Sequence, residues 1–123
     1  MGYALAYYNL GNSYYNGDGV EVNRKKAKHY WELAAMDGHV TARHDLGCME
    51  GRSGNHHRAY KHMIIAAKAG DIGSLDYVKK GFMAGFVTKD EYTNTLRAHQ
   101  QRLDEMKSDE RDKAAERRNR NEN

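Results

Sequence analysis

The chain has 123 residues, room for one small domain. Its mean hydropathy of −0.99 and hydrophobic content of 39% are low for a globule built round one central core, and suit stacked units that each bury a single face. Lys and Arg number 20 against 17 Asp and Glu; the net charge of +3 comes from a mixture of signs and does not point to a nucleic-acid clamp.

Residues 1–10 carry tyrosines and an asparagine where a secretion signal has a charged stretch and then an apolar run. No stretch approaches the roughly 20 apolar residues of a membrane helix. A cytoplasmic protein with no membrane partner is expected. Ala6, Leu10 and Tyr14 are spaced to line one buried stripe of a first helix, with Gly11 at its edge. A glycine there costs about 1 kcal/mol of helix propensity relative to alanine, which is repaid if it admits a neighbour at close range. Asn16-Gly17-Asp18-Gly19 reads as a turn. Asn23 can N-cap a second helix whose buried stripe is Ala27, Tyr30 and Ala34, with Trp31 and Ala35 beside it. Gly38 stops that helix.

The pattern then recurs. Ala42-Leu46-Gly47 repeats Ala6-Leu10-Gly11 at an offset of 36 residues, and Ala59, Ala66, Ala67 and Gly70 repeat Ala27, Ala34, Ala35 and Gly38 at an offset of 32. The second copy is therefore four residues shorter between its helices. Glu50 stands where the first copy has Tyr14.

A third, degenerate first helix follows from Ser74 to about Met83, with Val78 in the place of Leu46 and Lys79 in that of Gly47. Gly81 and Gly85 break it, and Thr88-Lys89-Asp90-Glu91 reads as a capping box opening a long last helix. Tyr92, Leu96, His99, Leu103 and Met106 form its apolar seam, able to pack on the preceding helices as a cap or, on a second reading, to pair as a short coiled coil. From Lys107 the seam stops; six positive and five negative residues follow, and frayed helix and then disorder are expected over 107–123. The expected organisation is thus a repeat domain over 1–106, with units at about 4–38, 42–70 and 74–106, followed by a charged tail.

The series Ala6-x3-Leu10-Gly11-x2-Tyr14-x2-Gly17-x-Gly19-Val20-x2-Asn23-x2-Lys26-Ala27-x2-Tyr30-x3-Ala34-Ala35-x2-Gly38 resembles the Sel1-like repeat almost position by position. The resemblance implies an all-α fold, an αα-superhelical solenoid related to tetratricopeptide arrays, with the first helix of each unit lining a concave groove. Asn23 departs from the family's usual Asp but keeps the capping role. A secreted, cysteine-rich branch of the family pairs cysteines between helices; Cys48, the single cysteine, excludes that design. The C-terminal part, from Val78 through Ser108, is similar to the end of a lineage of Sel1-like proteins of photosynthetic protists. In that lineage the repeats often follow a RING-like zinc module, of which this sequence carries nothing.

At about 100° per residue, Leu5, Tyr8, Asn12 and Tyr15 fall opposite the Ala6–Leu10 stripe. The corresponding residues are His44 and Cys48 in the second copy, and Asp76, Lys80 and Met83 in the third. This strip mixes aromatic, amide, thiol and charge, the composition of a polar groove with aromatic anchors. It implies an adaptor or scaffold that holds a peptide or partner domain without chemistry, needing no cofactor and no metal. Two alternatives stand beside it. On the lineage resemblance, the repeats are the substrate-recognition arm of a larger RING-type ubiquitin-ligase-like protein. On His44 and Cys48, at i and i+4 of one helix face, the chain is a thiol or metal-dependent enzyme, which would require His56, His57 or His62 to converge on them, or an orienting group and an oxyanion hole. Arg117-Arg118-Asn119-Arg120 reads as a solvated tail, or as a nuclear signal or an RNA-touching tail, its acidic neighbours weakening the last two. The start of the first helix three residues after Met1, with no N-cap and with tyrosines on its outer side, implies further repeats upstream in the natural chain.

Overall fold

Glycines set the rhythm of this proline-free chain. The computed structural model describes residues 2–122, and among them the helices follow in the order α1 (Ala4–Asn16), α2 (Arg24–Met36), α3 (Val40–Arg52), α4 (His56–Lys68), α5 (Ile72–Met83) and α6 (Lys89–Glu122). Gly17, Gly38 and Gly70 adopt φ of 78°, 90° and 105°, left-handed values that end α1, α2 and α4 and that a Cβ would strain. The starts of α2, α3, α5 and α6 are capped by side chains. The Asn23 Oδ1 accepts from the Lys26 amide at 3.0 Å, the Asp71 carboxylate from the Ser74 amide at 2.9 Å, and the Thr88 Oγ1 from the Glu91 amide at 3.1 Å. Glu91 closes the capping box by accepting from the Thr88 amide at 2.9 Å. The connection between α3 and α4 is four residues shorter than that between α1 and α2, so the repeat offset read from the sequence lies in the loop.

Each helix packs on its neighbour in sequence: α1 on α2, α2 on α3, α3 on α4, α4 on α5, with α6 laid against α4 and α5. This order is the all-α solenoid. Its core has two parts, one around Trp31, Ala34, Ala35, Ala42 and Leu46 and one around Met63, Ala67, Val78 and Val87. Both parts sit between units, so neither repeat buries its apolar face alone. The retained glycines make the close approach possible. The Trp31 indole lies directly on Gly11, and a Cβ at Gly47 would stand 2.8 Å from the Met63 Cε. Gly81, expected to break the third helix, instead lies buried inside α5 beneath the Tyr60 ring. The helix ends after Met83, and Gly85, at φ 87°, turns the chain toward α6.

Four expectations change in three dimensions. The Ala6–Leu10–Tyr14 stripe is not buried: Ala6 is exposed, Leu10 is 42% exposed and Tyr14 half-buried, whereas Ala42 and Leu46 at the equivalent places are 0% exposed. The cause is the neighbour: α2 covers that side of α3, and no described helix covers it on α1. Trp31, placed beside the stripe of α2, is the centre of the first core, stacked between Tyr15 at 5.2 Å and Tyr8 at 6.5 Å, while Tyr30 is only half-buried. In α6 the buried line runs through Thr95 and His99, with Leu96 turned outward; His99 Nδ1 donates at 2.8 Å to the Ala67 carbonyl, which also accepts from the Gly70 amide at the end of α4. The helix continues to Glu122 past the end of its seam. Between Lys107 and Glu122 stand no glycine and many Ala, Glu, Lys and Arg, all good helix formers, so propensity carries the helix where packing does not.

Candidate functional site

The strip read on the first helices forms a surface on α1 and α3. Tyr8 and Tyr15 lie one turn either side of Asn12 on α1, and each reaches across to α3. The Tyr8 hydroxyl donates to Asp45 Oδ2 at 2.8 Å, and Arg52 Nη1 donates to the Tyr15 hydroxyl at 2.8 Å. Burial, then Asp45, push the Tyr8 hydroxyl up to about 12, so it stays protonated and keeps donating. Asn12 Oδ1 accepts from the Trp31 indole at 3.1 Å, and the Asn12 side chain also acts on the Tyr8 hydroxyl, opposing the upward push of Asp45. Asn12, Tyr15, Asp45, Cys48 and Arg52 enclose a cleft of about 250 Å³ with Trp31 at its base.

Further along α3 the strip continues as a hydrogen-bonded chain. Ser74 Oγ stands 2.6 Å from Asp71 Oδ2 and 2.8 Å from His44 Nδ1, and Ser74 is fully buried. The hydroxyl has one proton, and the carboxylate can only accept, so that proton goes to Asp71 and Ser74 accepts from the His44 Nδ1–H. His44 Nε2 is then the acceptor facing Cys48 Sγ at 3.5 Å. Asp71 Oδ2 is also 3.5 Å from His44 Nδ1. The carboxylate that caps α5 thus orients a histidine on α3, a link between units that spacing alone does not give.

Five of the eight strip residues, Tyr8, Asn12, Tyr15, His44 and Cys48, lie in this connected arrangement. The other three stand on α5: Asp76 and Lys80 form an exposed ion pair at 2.9 Å, and Met83 is 75% exposed at the helix end. Among the described residues no hydrogen bond or ion pair ties these three to the five. Sequence reasoning missed Asp45, Arg52, Asp71 and Ser74. Asp71 follows Gly70 at a helix start, the one local sign that could have found it.

Behind Tyr15 the surface is basic. The Arg24 guanidinium carbon sits 3.7 Å above the Tyr15 ring centre. Lys28 Nζ is 2.9 Å from Glu50 Oε1, and Asn55 Nδ2 donates to Glu50 Oε2 at 2.9 Å. The Lys28 ammonium, foremost, holds the Glu50 carboxyl below the usual carboxylate range. Glu50, the residue standing where the first copy has Tyr14, is therefore a buried, satisfied anion rather than a defect.

The histidines proposed to join His44 and Cys48 go elsewhere. His56 packs on Phe86 with ring centres 5.3 Å apart, and His62 Nδ1 is 3.5 Å from Arg43. Among the described residues no three His, Cys, Asp or Glu side chains stand together as a metal site. Burial, then Asp45, raise the Cys48 thiol, against the pull of Arg52. The raised pKa favours the protonated thiol at neutral pH. No helix of the described residues is long and apolar enough to cross a membrane.

No match is found among curated proteins or among solved structures. The family model of the Sel1 repeat matches residues 4–39 and again residues 40–71. The two segments take up more than half of the chain and coincide with the α1–α2 and α3–α4 hairpins: the chain belongs to the Sel1 repeat family.

Proposed function

We propose that this chain is an adaptor that holds a segment of another protein along the first helices, over Asn12, Tyr15, His44 and Cys48, with Asp76, Lys80 and Met83 extending the same face on α5. Sel1 repeats are, as a class, protein–protein interaction modules, and the all-helical repeat fold is typically non-enzymatic. The observation that carries the finer reading is the pair of bridges from α1 to α3, Tyr8 to Asp45 and Arg52 to Tyr15. They join two units into one wall and fix its aromatic rings before a ligand arrives, which lowers the ordering cost of binding. Affinity comes from covering the half-exposed rings and from hydrogen bonds to the amide and charged groups beside them. The test uses the chain as bait in extract of its own cells. A partner is recovered by the wild type and by Lys61→Glu, on the exposed side of α4, and is lost with Asp45→Lys once its folding has been verified. Equal recovery by all three would place binding elsewhere.

A further inference from the structure

Tyr15 organises two guanidinium groups at once. Arg24 stacks on its ring face, and Arg52 donates to its hydroxyl. Lys25 and Lys28 stand beside them, and Met49 and Ser53 complete a cleft of about 300 Å³ in which no carboxylate takes part. Glu50, the partner of Lys28, is buried and also held by Asn55. Among the described residues neither Arg24 nor Arg52 has a carboxylate at ion-pair distance. Among the described residues, three cations, Arg24, Lys25 and Arg52, thus have no ion-pair partner around an aromatic and a thioether surface.

We propose that this cleft receives an acidic segment of the partner protein, one that presents Asp or Glu carboxylates to Arg24, Lys25 and Arg52 and an apolar side chain to Met49. The proposal rests on the protein-binding reading of the first-helix strip, which the cleft adjoins: Tyr15 and Arg52 line both. Charge complementarity selects the ligand. A guanidinium fork fits the two oxygens of a carboxylate, and stacking on Tyr15 holds the Arg24 fork in place, so less side-chain freedom is lost on binding. A nucleic acid would call for cations continued along the surface. Here they are gathered at one cleft, and the neighbouring first-helix cleft is bounded by Asp45.

Backbone amide spectra of the ¹⁵N-labelled full chain test the assignment, with four probes: a short Glu/Leu peptide, its Gln/Leu counterpart, inorganic phosphate and oligothymidylate. The Glu/Leu peptide is expected to give saturable shifts at Tyr15, Arg24, Met49 and Arg52. Its affinity falls at least about tenfold on exchange for the Gln/Leu peptide, and again in Arg24→Gln/Lys25→Gln, two exposed positions outside the bridges from α1 to α3, whose change leaves the thermal melt in place. Equal binding of the Gln/Leu peptide, or no saturable shift with the Glu/Leu peptide, overturns the proposal. So does preferred binding of oligothymidylate or phosphate, which would assign the cleft to nucleic acid or to free anions. Capture of the cellular partner separates the two readings. Capture that survives Arg24→Gln/Lys25→Gln but fails with Asp45→Lys refutes the acidic segment and keeps the strip; capture that survives both refutes both.

Discussion

Gly11 shows how a single residue couples sequence to packing. Its position inside a helix, against propensity, marks it in the sequence as a point of close approach. The neighbour that approaches, Trp31, is fixed only when α2 folds back on α1. Gly11→Ala is expected to cost about 1–3 kcal/mol, because the indole must shift and it is clamped by Tyr15 and Asn12; the melting temperature measures it. Glu50 was legible only as a departure from the first copy. Its lowered pKa gives a pH signature. Between the ordinary glutamate value of about 4.3 and the lower folded value, the unfolded chain binds the proton and the folded chain does not. Stability therefore rises with pH in that window and is lost as pH falls through the folded value. Glu50→Gln is expected to flatten this acid limb in melts taken against pH, and to cost about 1–3 kcal/mol at neutral pH, where Lys28 loses its partner.

Among elements, helix ends were the most readable feature, since caps such as Asn23 and Thr88 and stops such as Gly38 act through bonds within a few residues. Faces were less so. The Ala-x3-Leu pair is the same on α1 and α3, yet only α3 has a helix over it. The equivalent substitutions are accordingly predicted to differ: Leu46→Ala costs about 2–5 kcal/mol, while Leu10→Ala, at a residue 42% exposed, costs less than about 1 kcal/mol. Equal losses in denaturant titrations would mean the Leu10 side is covered. The end of α6 is the converse case, a helix with almost nothing on it. Its exposed pairs, such as Gln101 with Glu105, contribute tenths of a kcal/mol each. Truncation after Ser108 should lower the helical signal by the lost residues and leave the melt of the remaining chain unchanged.

At the scale of the whole molecule, the repeat pattern made the solenoid legible, because one period fixes the order of all the helix pairs. It also put Tyr8, Asn12, Tyr15, His44 and Cys48 on the first-helix face. It did not give Asp45, Arg52, Ser74 or Asp71, which meet these residues only through stacking of one unit on the next. Stacking therefore makes the proposed surface as well as the core. The most direct test of that surface is a map of partner contacts by a photoreactive side chain placed singly at Arg52 and Asp76 on the first helices, and at Glu32 and Lys61 on the second helices, all exposed positions. On irradiation in cell extract, covalent adducts to a common protein are predicted from Arg52 and Asp76 and not from Glu32 or Lys61. Adducts to that protein from Glu32 and Lys61 alone would contradict binding along the first helices.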